Sequence, residues 1–190
     1  MSSGSYLWSY LSITIVQVET QQYISGEFMN IHEHWEMIQG IVQVAMKSSH
    51  HLSFATVTED GSPHVTPIGS LILRDDCTGY YFEEYTKQMP VNLRNNQRIS
   101  ILAVNSSIFF WIKAIYSGKF SSHPGVRLHG KVGARRPATE GEIAAWQNRV
   151  KGVRRTKGYE LIWKNLKYVR DIQFDSFEPV TAGKMTKNLV

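Results

Sequence analysis

The apolar residues of the central chain change their spacing several times, and each spacing predicts a different element. In "HEHWEMIQGIVQVAMKSS" the residues Trp35, Ile38, Val42 and Met46 recur every three or four positions, which predicts an amphipathic helix. "HLSFATVT" then alternates apolar and polar residues and is rich in β-branched side chains, as strands are. The "EDGS" that follows is typical of a hairpin turn, because Gly61 can supply the positive φ such turns require.

The remaining pattern adds strands and few helices. "PHVTPIGSLILR" predicts a return strand and "YYFEEY" a third, so the three are expected to form an antiparallel meander. "RISILAVN", "VRLHGKVGARRPA" and residues 168–177 predict further strands, for six or seven in all. A short helix is expected around Pro90, and another where Thr139 and Glu142 form a capping box. Many strands with few helices favour a small antiparallel β-barrel over a doubly wound α/β sheet.

One connection is unusually long and aromatic. "SSIFFWIKAIYSGKFSSHPG" spans residues 106–125 and ends in a stretch rich in Gly, Ser and Pro. Long connections often serve as lids or partner surfaces, and a helix packed on the barrel explains the pattern equally well. Both interpretations stay open at this point.

The N-terminal segment differs from the rest. "MSSGSYLWSYLSITIVQV" has no basic start and interrupts its apolar residues with Ser and Thr, so it predicts neither a signal peptide nor a membrane span. We therefore expect residues 1–28 to be an extension, disordered or not native, and residues 29–190 to form one domain.

Composition narrows the class of protein. The chain has 190 residues, of which 42% are hydrophobic and 19% charged, as in ordinary globular domains. Its single cysteine, Cys77, cannot form an internal disulfide, which suits a reducing compartment, so we expect a cytoplasmic protein without membrane association. The net charge of +5 is concentrated in residues 119–170, with about thirteen Lys or Arg against about three acids. Since these cations are dispersed, a solvated basic face is favoured and a nucleic-acid partner is not expected.

Common catalytic signatures are missing from the sequence. It contains no Gly-x-Ser-x-Gly, no Walker loop and no Cys-x-x-Cys, so no catalytic residue can be assigned. Cys77 follows two aspartates, which should raise its pKa and leave it unreactive. The pairs His32/His34 and His50/His51 have poor chelating spacing, so no metal site is expected. His64 and His129 lie in predicted strands, and hydrogen-bonded roles in a barrel are favoured for them over pocket roles.

Two stretches together resemble a known family. "DGSPHVTPIGS" and "YYFEEYTKQMPVNLRNNQRISILAV" are similar, in order and spacing, to the flavin-binding split-barrel family that includes pyridoxamine 5'-phosphate oxidase. The resemblance implies a mainly β (α+β) fold, a six- to seven-stranded antiparallel split β-barrel with a few flanking helices. It also implies an FMN cofactor held between the two subunits of a homodimer, with a small molecule as substrate.

The resemblance also implies which residues meet the flavin. Those expected to bind FMN are Thr66, Pro67, Ile68, Thr86, Lys87, Asn92 and Arg127. The first three would line the isoalloxazine ring, while Thr86 and Lys87 precede a helix and would face the phosphate. Thr66 stands where the oxidase has an arginine, and Met89 where it has a lysine, so pyridoxine chemistry is not expected.

The sequence therefore predicts an FMN-dependent oxidoreductase of unknown substrate, with a non-catalytic flavin or haem carrier or sensor on the same barrel as the alternative. The aromatic segment "IFFWIKAIY" is expected to cover the substrate side of the flavin. Pro67 is expected to turn its missing N–H towards the flavin rather than towards a neighbouring strand.

Overall fold

Across residues 30–189, the part of the chain described by the computed structural model, there are seven β-strands and five α-helices. The strands are β1 (Leu52–Val57), β2 (Pro63–Ile68), β3 (Ile72–Leu73), β4 (Thr78–Phe82), β5 (Arg98–Val104), β6 (Gly125–Pro137) and β7 (Tyr168–Pro179). The helices are α1 (Trp35–Ser49), α2 (Gln88–Asn95), α3 (Ile108–Ser117), α4 (Glu140–Arg149) and α5 (Lys157–Ile162). Short 3₁₀ helices follow at Lys151–Val153 and Gly183–Leu189. The expectation for residues 1–28 lies outside the described residues.

The strands form one antiparallel sheet in the order β2-β1-β5-β6-β7-β4-β3, as a split barrel. Its two ends, β2 and β3, are the edges of the split. The sheet folds back on itself, because the ring of Phe54 on β1 lies 5.4 Å from that of Tyr81 on β4, four strands away in the order. The predicted antiparallel architecture is confirmed, with seven strands.

The expected three-stranded meander is wrong. The predicted return strand divides into β2 and β3, and β4 pairs with β3 and β7 rather than with β2. The division falls at Gly69, where an added Cβ would lie 2.8 Å from the carbonyl oxygen of His50. Only a residue without a side chain allows the chain this close to the end of α1, and the strand stops there.

Helix α1 packs against the inner face of the sheet. All four residues of its predicted apolar stripe, Trp35, Ile38, Val42 and Met46, are buried. They join a core that also contains Leu52, Phe54, Tyr81, Met89, Leu93, Ile99, Ile101, Val126, Leu128, Ile172 and Phe174. Burial of this stripe is the main reason the helix is stable, since its hydrogen bonds alone contribute little.

The position of Pro67 follows from the topology. Pro67 stands opposite Ser53 of β1, and among the described residues β2 has no partner on its other side. Proline is tolerated on an edge strand, because its missing N–H can face away from the ladder. The edge position thus accounts for the proline without a ligand, and the orientation towards a flavin stays a prediction.

Candidate functional site

A serine between β2 and β3 contacts the end of β4. The Ser70 hydroxyl accepts a hydrogen bond from the N–H of Phe82 at 3.1 Å and donates to the Phe82 carbonyl at 3.2 Å. Ser70 lies between β2 and β3 and stands opposite Phe82 in the register of the β3–β4 pairing, so this contact extends that pairing towards the end of β2. We call this junction the seam.

A cavity of about 330 Å³ lies at the seam. Three parts of the chain form its wall: the end of β2, the turn after β4, and the helices between β6 and β7. The lining residues are Pro67, Ile68, Gly69, Ser70, Phe82, Glu84, Tyr85, Thr86, Trp146, Ile162, Trp163 and Leu166. We refer to it as the seam cavity.

Aromatic rings form the apolar wall of the seam cavity. The ring of Trp146 lies 5.8 Å from that of Phe82 and 6.3 Å from that of Trp163. The Trp146 Nε1 donates to the Trp163 carbonyl at 3.4 Å, which links α4 to the end of α5. Such a wall suits a flat apolar ligand.

Three polar atoms in the turn after β4 are buried without a hydrogen-bond partner among the described residues. They are Glu83 Oε2, Glu84 Oε2 and Thr86 Oγ1, of which the last two belong to residues that line the seam cavity. Arg135 Nη2 lies 3.9 Å from Glu84 Oε2, too far for a hydrogen bond. Because burying an unpaired polar group is costly, these atoms in the cavity wall offer hydrogen-bonding positions to a polar ligand or to water.

The turn is anchored by a buried carboxylate beside it. Glu83 Oε1 accepts from Arg170 Nε at 2.7 Å and from the Tyr81 hydroxyl at 3.3 Å. Burial, with the nearby charge of Glu83, raises the pKa of Tyr81 well above its ordinary value, so the phenol stays protonated and can donate. Glu83 is therefore a structural residue that fixes the path of the turn.

Helix α4 is held against the sheet by a ring of ion pairs. Arg74 contacts both Glu142 and Asp171 at 2.8 Å, and Arg136 contacts Glu142 at 2.8 Å and Asp171 at 2.6 Å. The hydrogen bonds from Arg136 are the main reason that the pKa of Glu142 falls to about 2. The predicted capping box is confirmed, since Thr139 and Glu142 exchange both hydrogen bonds, and the same carboxylate positions Trp146 one turn later.

The seam cavity brings together three of the residues expected to bind the cofactor. Pro67, Ile68 and Thr86 are in its wall. Thr66 is half-buried in β2, with its hydroxyl 3.4 Å from His64 Nδ1, and does not line the cavity. Lys87 is exposed directly after Thr86, at the start of α2.

The other two expected residues lie elsewhere in this chain. Asn92 is buried in α2, where its Nδ2 donates to Thr56 Oγ1 at 2.9 Å and its Oδ1 accepts from Gln88 at 2.9 Å. Arg127 is exposed on β6 and pairs with Glu178 of β7. Neither lines the seam cavity.

Sequence reasoning missed much of the wall. The missed residues are Gly69, Ser70, Phe82, Glu84, Tyr85, Trp146, Ile162, Trp163 and Leu166. Trp146 was recognisable as a residue of the apolar face of α4, but no local signal shows that this face meets β2 and β4. Nothing in the sequence marks Glu84 as a cavity residue, because an acidic residue in a turn is ordinarily expected to face solvent.

A second cavity, of about 510 Å³, adjoins the first and shares Gly69, Trp146 and Trp163 with it. Lys47 and Arg149 bring positive charge to its wall. Arg149 also donates to the carbonyl oxygen of Leu71, which ties α4 to the segment after β2.

Cys77 and the histidines lie apart from these cavities, except His50, which lines the second one. Cys77 is buried and its pKa is raised, chiefly by burial and secondarily by the charge of Asp76, as predicted in direction. Its Sγ lies 3.2 Å from His32 Nδ1. Within residues 30–189 no group of three or more His, Cys, Asp or Glu side chains is arranged to hold a metal ion.

Comparison with known proteins decides the family. A family model described as pyridoxamine 5'-phosphate oxidase matches residues 41–173, well over half of the chain. The chain belongs to this family. The match runs from within α1 into β7 and so includes the whole seam cavity. No curated protein sequence matches the chain significantly.

Solved structures share the fold. An FMN-binding protein from Syntrophomonas wolfei is 15% identical with a TM-score of 0.53, and the match covers 88% of this chain and 98% of that one. HupZ of Group A Streptococcus is 19% identical (TM-score 0.49), covering 78% of this chain and 98% of that one. HutZ, the heme storage protein of Vibrio cholerae, is 12% identical (TM-score 0.48), covering 75% and 94%. At these identities the likeness to the Syntrophomonas protein shows the fold alone.

None of the helices in residues 30–189 has the length and apolar character needed to cross a bilayer.

Proposed function

We propose that the seam cavity binds FMN and that the protein is an FMN-dependent oxidoreductase acting on a small molecule. The observation that carries this proposal is the pair of unpartnered buried atoms, Thr86 Oγ1 and Glu84 Oε2, in a cavity walled by indoles. FMN combines a flat ring system, a ribityl chain with hydroxyl donors and a phosphate. The ring system suits the apolar wall of the seam cavity, and the ribityl chain and phosphate suit its polar groups.

The ring end of the flavin fits the tryptophan wall. The isoalloxazine would lie against Trp146 and Trp163, with the backbone of residues 67–70 at its edge. The cavity volume of about 330 Å³ is near the lower end of the range of roughly 300–1,000 Å³ for ligand sites. One chain would therefore enclose the cofactor only in part.

The phosphate end fits the turn before α2. Thr86 can donate its hydroxyl, Lys87 can contribute its ammonium group, and the first turn of α2 has backbone N–H groups at Gln88 and Met89 without intrahelical acceptors. The carboxylate of Glu84 would repel a phosphate, so it would accept hydrogen bonds from ribityl hydroxyls or from a ring N–H. Thr86 and Glu84 therefore set the orientation of FMN in the seam cavity, with the phosphate next to Thr86.

The flavin, when bound, would supply electron or hydride transfer. The residues of this chain would hold it, exclude water with the indoles, and orient the ring by backbone contacts at the end of β2. Because the cavity is open on one side, we also propose a homodimer in which a second copy completes the site. The single buried thiol suits a reducing compartment, and we propose the cytoplasm.

The test is a titration of the purified full chain with FMN. Binding should quench both flavin fluorescence and tryptophan fluorescence, because Trp146 and Trp163 lie in the wall. Turnover is then measured as faster reoxidation of the reduced bound flavin in the presence of a small-molecule acceptor. If FMN leaves both signals unchanged while haemin produces a Soret band, the flavin assignment is wrong and the carrier alternative is supported.

A further inference from the structure

The arginines of residues 30–189 fall into two groups. Six of the ten form ion pairs with acidic side chains: Arg74, Arg98, Arg127, Arg135, Arg136 and Arg170. The other four have no acidic partner among the described residues: Arg94, Arg149, Arg154 and Arg155. Three of these four lie close together in the chain, at the end of α4 and just after it.

The unpaired arginines gather at the second cavity. Arg149 lines this cavity, and Arg154 directly follows Val153, which also lines it. Lys47 brings a further cation from the last turn of α1. None of the described residues lining the second cavity is acidic, whereas Glu84 lines the seam cavity. The charged side chains in the wall of the second cavity are therefore all cationic.

The guanidinium of Arg149 is desolvated without a carboxylate to offset the cost. Its partner is the carbonyl oxygen of Leu71, and the surrounding protein atoms lower the pKa of Arg149. Arg136 is the contrasting case, since hydrogen bonds to Glu142 and Asp171 raise the pKa of that guanidinium. A desolvated cation next to a cavity is stabilised when an anion enters the cavity.

The second cavity also has an aromatic wall, and it shares this wall with the seam cavity. Trp146 and Trp163 line both cavities, and their rings lie 6.3 Å apart. The volume of about 510 Å³ lies within the range of roughly 300–1,000 Å³ for ligand sites. A flat ring bound in the second cavity would thus be a close neighbour of the ligand in the seam cavity.

The distribution of the cations favours a ligand with more than one anionic group. Lys47 belongs to α1, Arg149 to α4, and Arg154 to the segment after the 3₁₀ helix at Lys151–Val153. A pyrophosphate offers several anionic oxygens to cations that come from different elements. An oxidoreductase that holds a flavin also needs a source of electrons beside it. A nicotinamide dinucleotide combines a pyrophosphate, a flat ring and this chemistry.

We propose that the second cavity binds a nicotinamide dinucleotide. The nicotinamide ring lies against Trp146 and Trp163, and the pyrophosphate is bound by Lys47, Arg149 and the cations of residues 151–155. The role of this dinucleotide as electron source for FMN rests on the proposed function, whereas its binding does not.

The first experiment is a titration of the purified full chain with NADH in the absence of flavin. Excitation of the indoles should produce saturable energy transfer to the dihydronicotinamide ring, because two tryptophans line the cavity. Trp163→Phe should weaken this transfer while the circular dichroism spectrum stays unchanged. NADPH carries the same ring and pyrophosphate and is titrated in parallel. No transfer with either dinucleotide overturns the proposal.

The contribution of the cations is measured with Lys47→Gln/Lys151→Gln. Neither lysine has an acidic partner among the described residues, so their replacement should leave the melting temperature unchanged. The affinity for NADH should fall about tenfold. An unchanged affinity contradicts the proposal. Inorganic pyrophosphate should bind more weakly than NADH, and equal affinities would reduce the cavity to a simple anion site and overturn the dinucleotide assignment.

Helix α3 provides the matched control, because it lies away from both cavities. None of its residues lines either one, so the expectation that "IFFWIKAIY" covers the flavin is not met within one chain. Its apolar residues face solvent instead: Ile108, Phe109, Ile112, Ile115 and Tyr116. Lys113→Gln/Lys119→Gln removes the same charge from exposed positions in and after α3 and should leave NADH affinity unchanged. An equal loss in both double variants would show that only net charge matters, which overturns the proposal.

The second experiment separates the second cavity from the flavin site. NAD⁺, which does not reduce the flavin, is used in equilibrium dialysis with the full chain saturated with FMN. Both ligands should bind together, and displacement of NAD⁺ by FMN would make the second cavity part of the flavin site and overturn the proposal. NADH binding without FMN binding would contradict only the proposed function. FMN binding without NADH binding would contradict only the dinucleotide site.

Discussion

The hydroxyl of Ser70 exchanges two hydrogen bonds with the backbone of Phe82, at 3.1 Å and 3.2 Å, and so extends the pairing of β3 with β4 towards the end of β2. Gly69, next to Ser70, and Glu84, two residues after Phe82, both line the seam cavity. The cavity therefore exists because the segment after β2 and the end of β4 are held together at this point.

Replacing Ser70 by Ala should lower the free energy of unfolding by about 1–3 kcal/mol. The change leaves the N–H and carbonyl of Phe82 without these partners, which costs more than the mean value of one hydrogen bond. Urea denaturation followed by circular dichroism measures the loss. The matched control is Ser122→Ala at an exposed position, and an equal effect of both changes would show that the seam contact contributes nothing.

Thr86→Val should weaken FMN binding about tenfold, equivalent to about 1.4 kcal/mol, without loss of stability. The native hydroxyl has no partner among the described residues, so its removal breaks no hydrogen bond in the free protein and only removes the donor offered to the ligand. Fluorescence titration gives the affinity and thermal melting the stability. Thr86→Ser, which keeps the hydroxyl, should bind nearly as the parent does; weak binding by both variants would point to shape rather than to hydrogen bonding.

Asn92→Ala should destabilise the fold by about 2–3 kcal/mol and leave the FMN affinity of the folded protein unchanged. Asn92 is buried and bonds Thr56 and Gln88, and it does not line the cavity. Denaturation and flavin titration separate the two effects, with the exposed Asn95→Ala as control. Loss of flavin affinity at unchanged stability would instead support the role in cofactor binding predicted from the sequence.

Glu142→Gln should remove a pH-dependent part of the stability. The pKa of Glu142 is lowered to about 2 from an ordinary 4.5, so its ion pairs stabilise the folded state fully above the ordinary value and are lost as pH falls towards 2. At neutral pH we expect the variant to be less stable by about 2 kcal/mol.

The difference between the parent and Glu142→Gln should shrink as pH falls from about 4.5 to about 2, and denaturation midpoints across that window measure it. The pKa of Asp171 is also lowered, chiefly by Arg136, so protonation of Asp171 destabilises the fold over the acidic range as well. The stability of the Glu142→Gln variant therefore keeps part of its pH dependence. Glu140→Gln, on the same helix but exposed, is the control. A constant difference at every pH would mean that the carboxylate charge is not what stabilises the contact.

Much of the local structure was predictable, because it depends on neighbouring residues. The stripe from Trp35 to Met46 predicted the buried face of α1, and Thr139 with Glu142 predicted the start of α4. Helix periodicity and capping act within a few residues, so they can be recognised in a single sequence. The family motif likewise spans consecutive elements, from β1 to β5.

One of the two partners of β4 was not predictable in this way. Its pairing with β3 is a local hairpin, but its pairing with β7 joins Thr78 to Gln173 and Phe82 to Val169, about half the chain length apart. The sequence alone determined which stretches form strands and helices, that they form an antiparallel barrel of this family, and that Pro67, Ile68 and Thr86 belong together. Only the tertiary structure decided the strand order, the tryptophan wall and the solvent-facing side of α3, because these depend on contacts between residues that are distant in the chain and carry no local pattern.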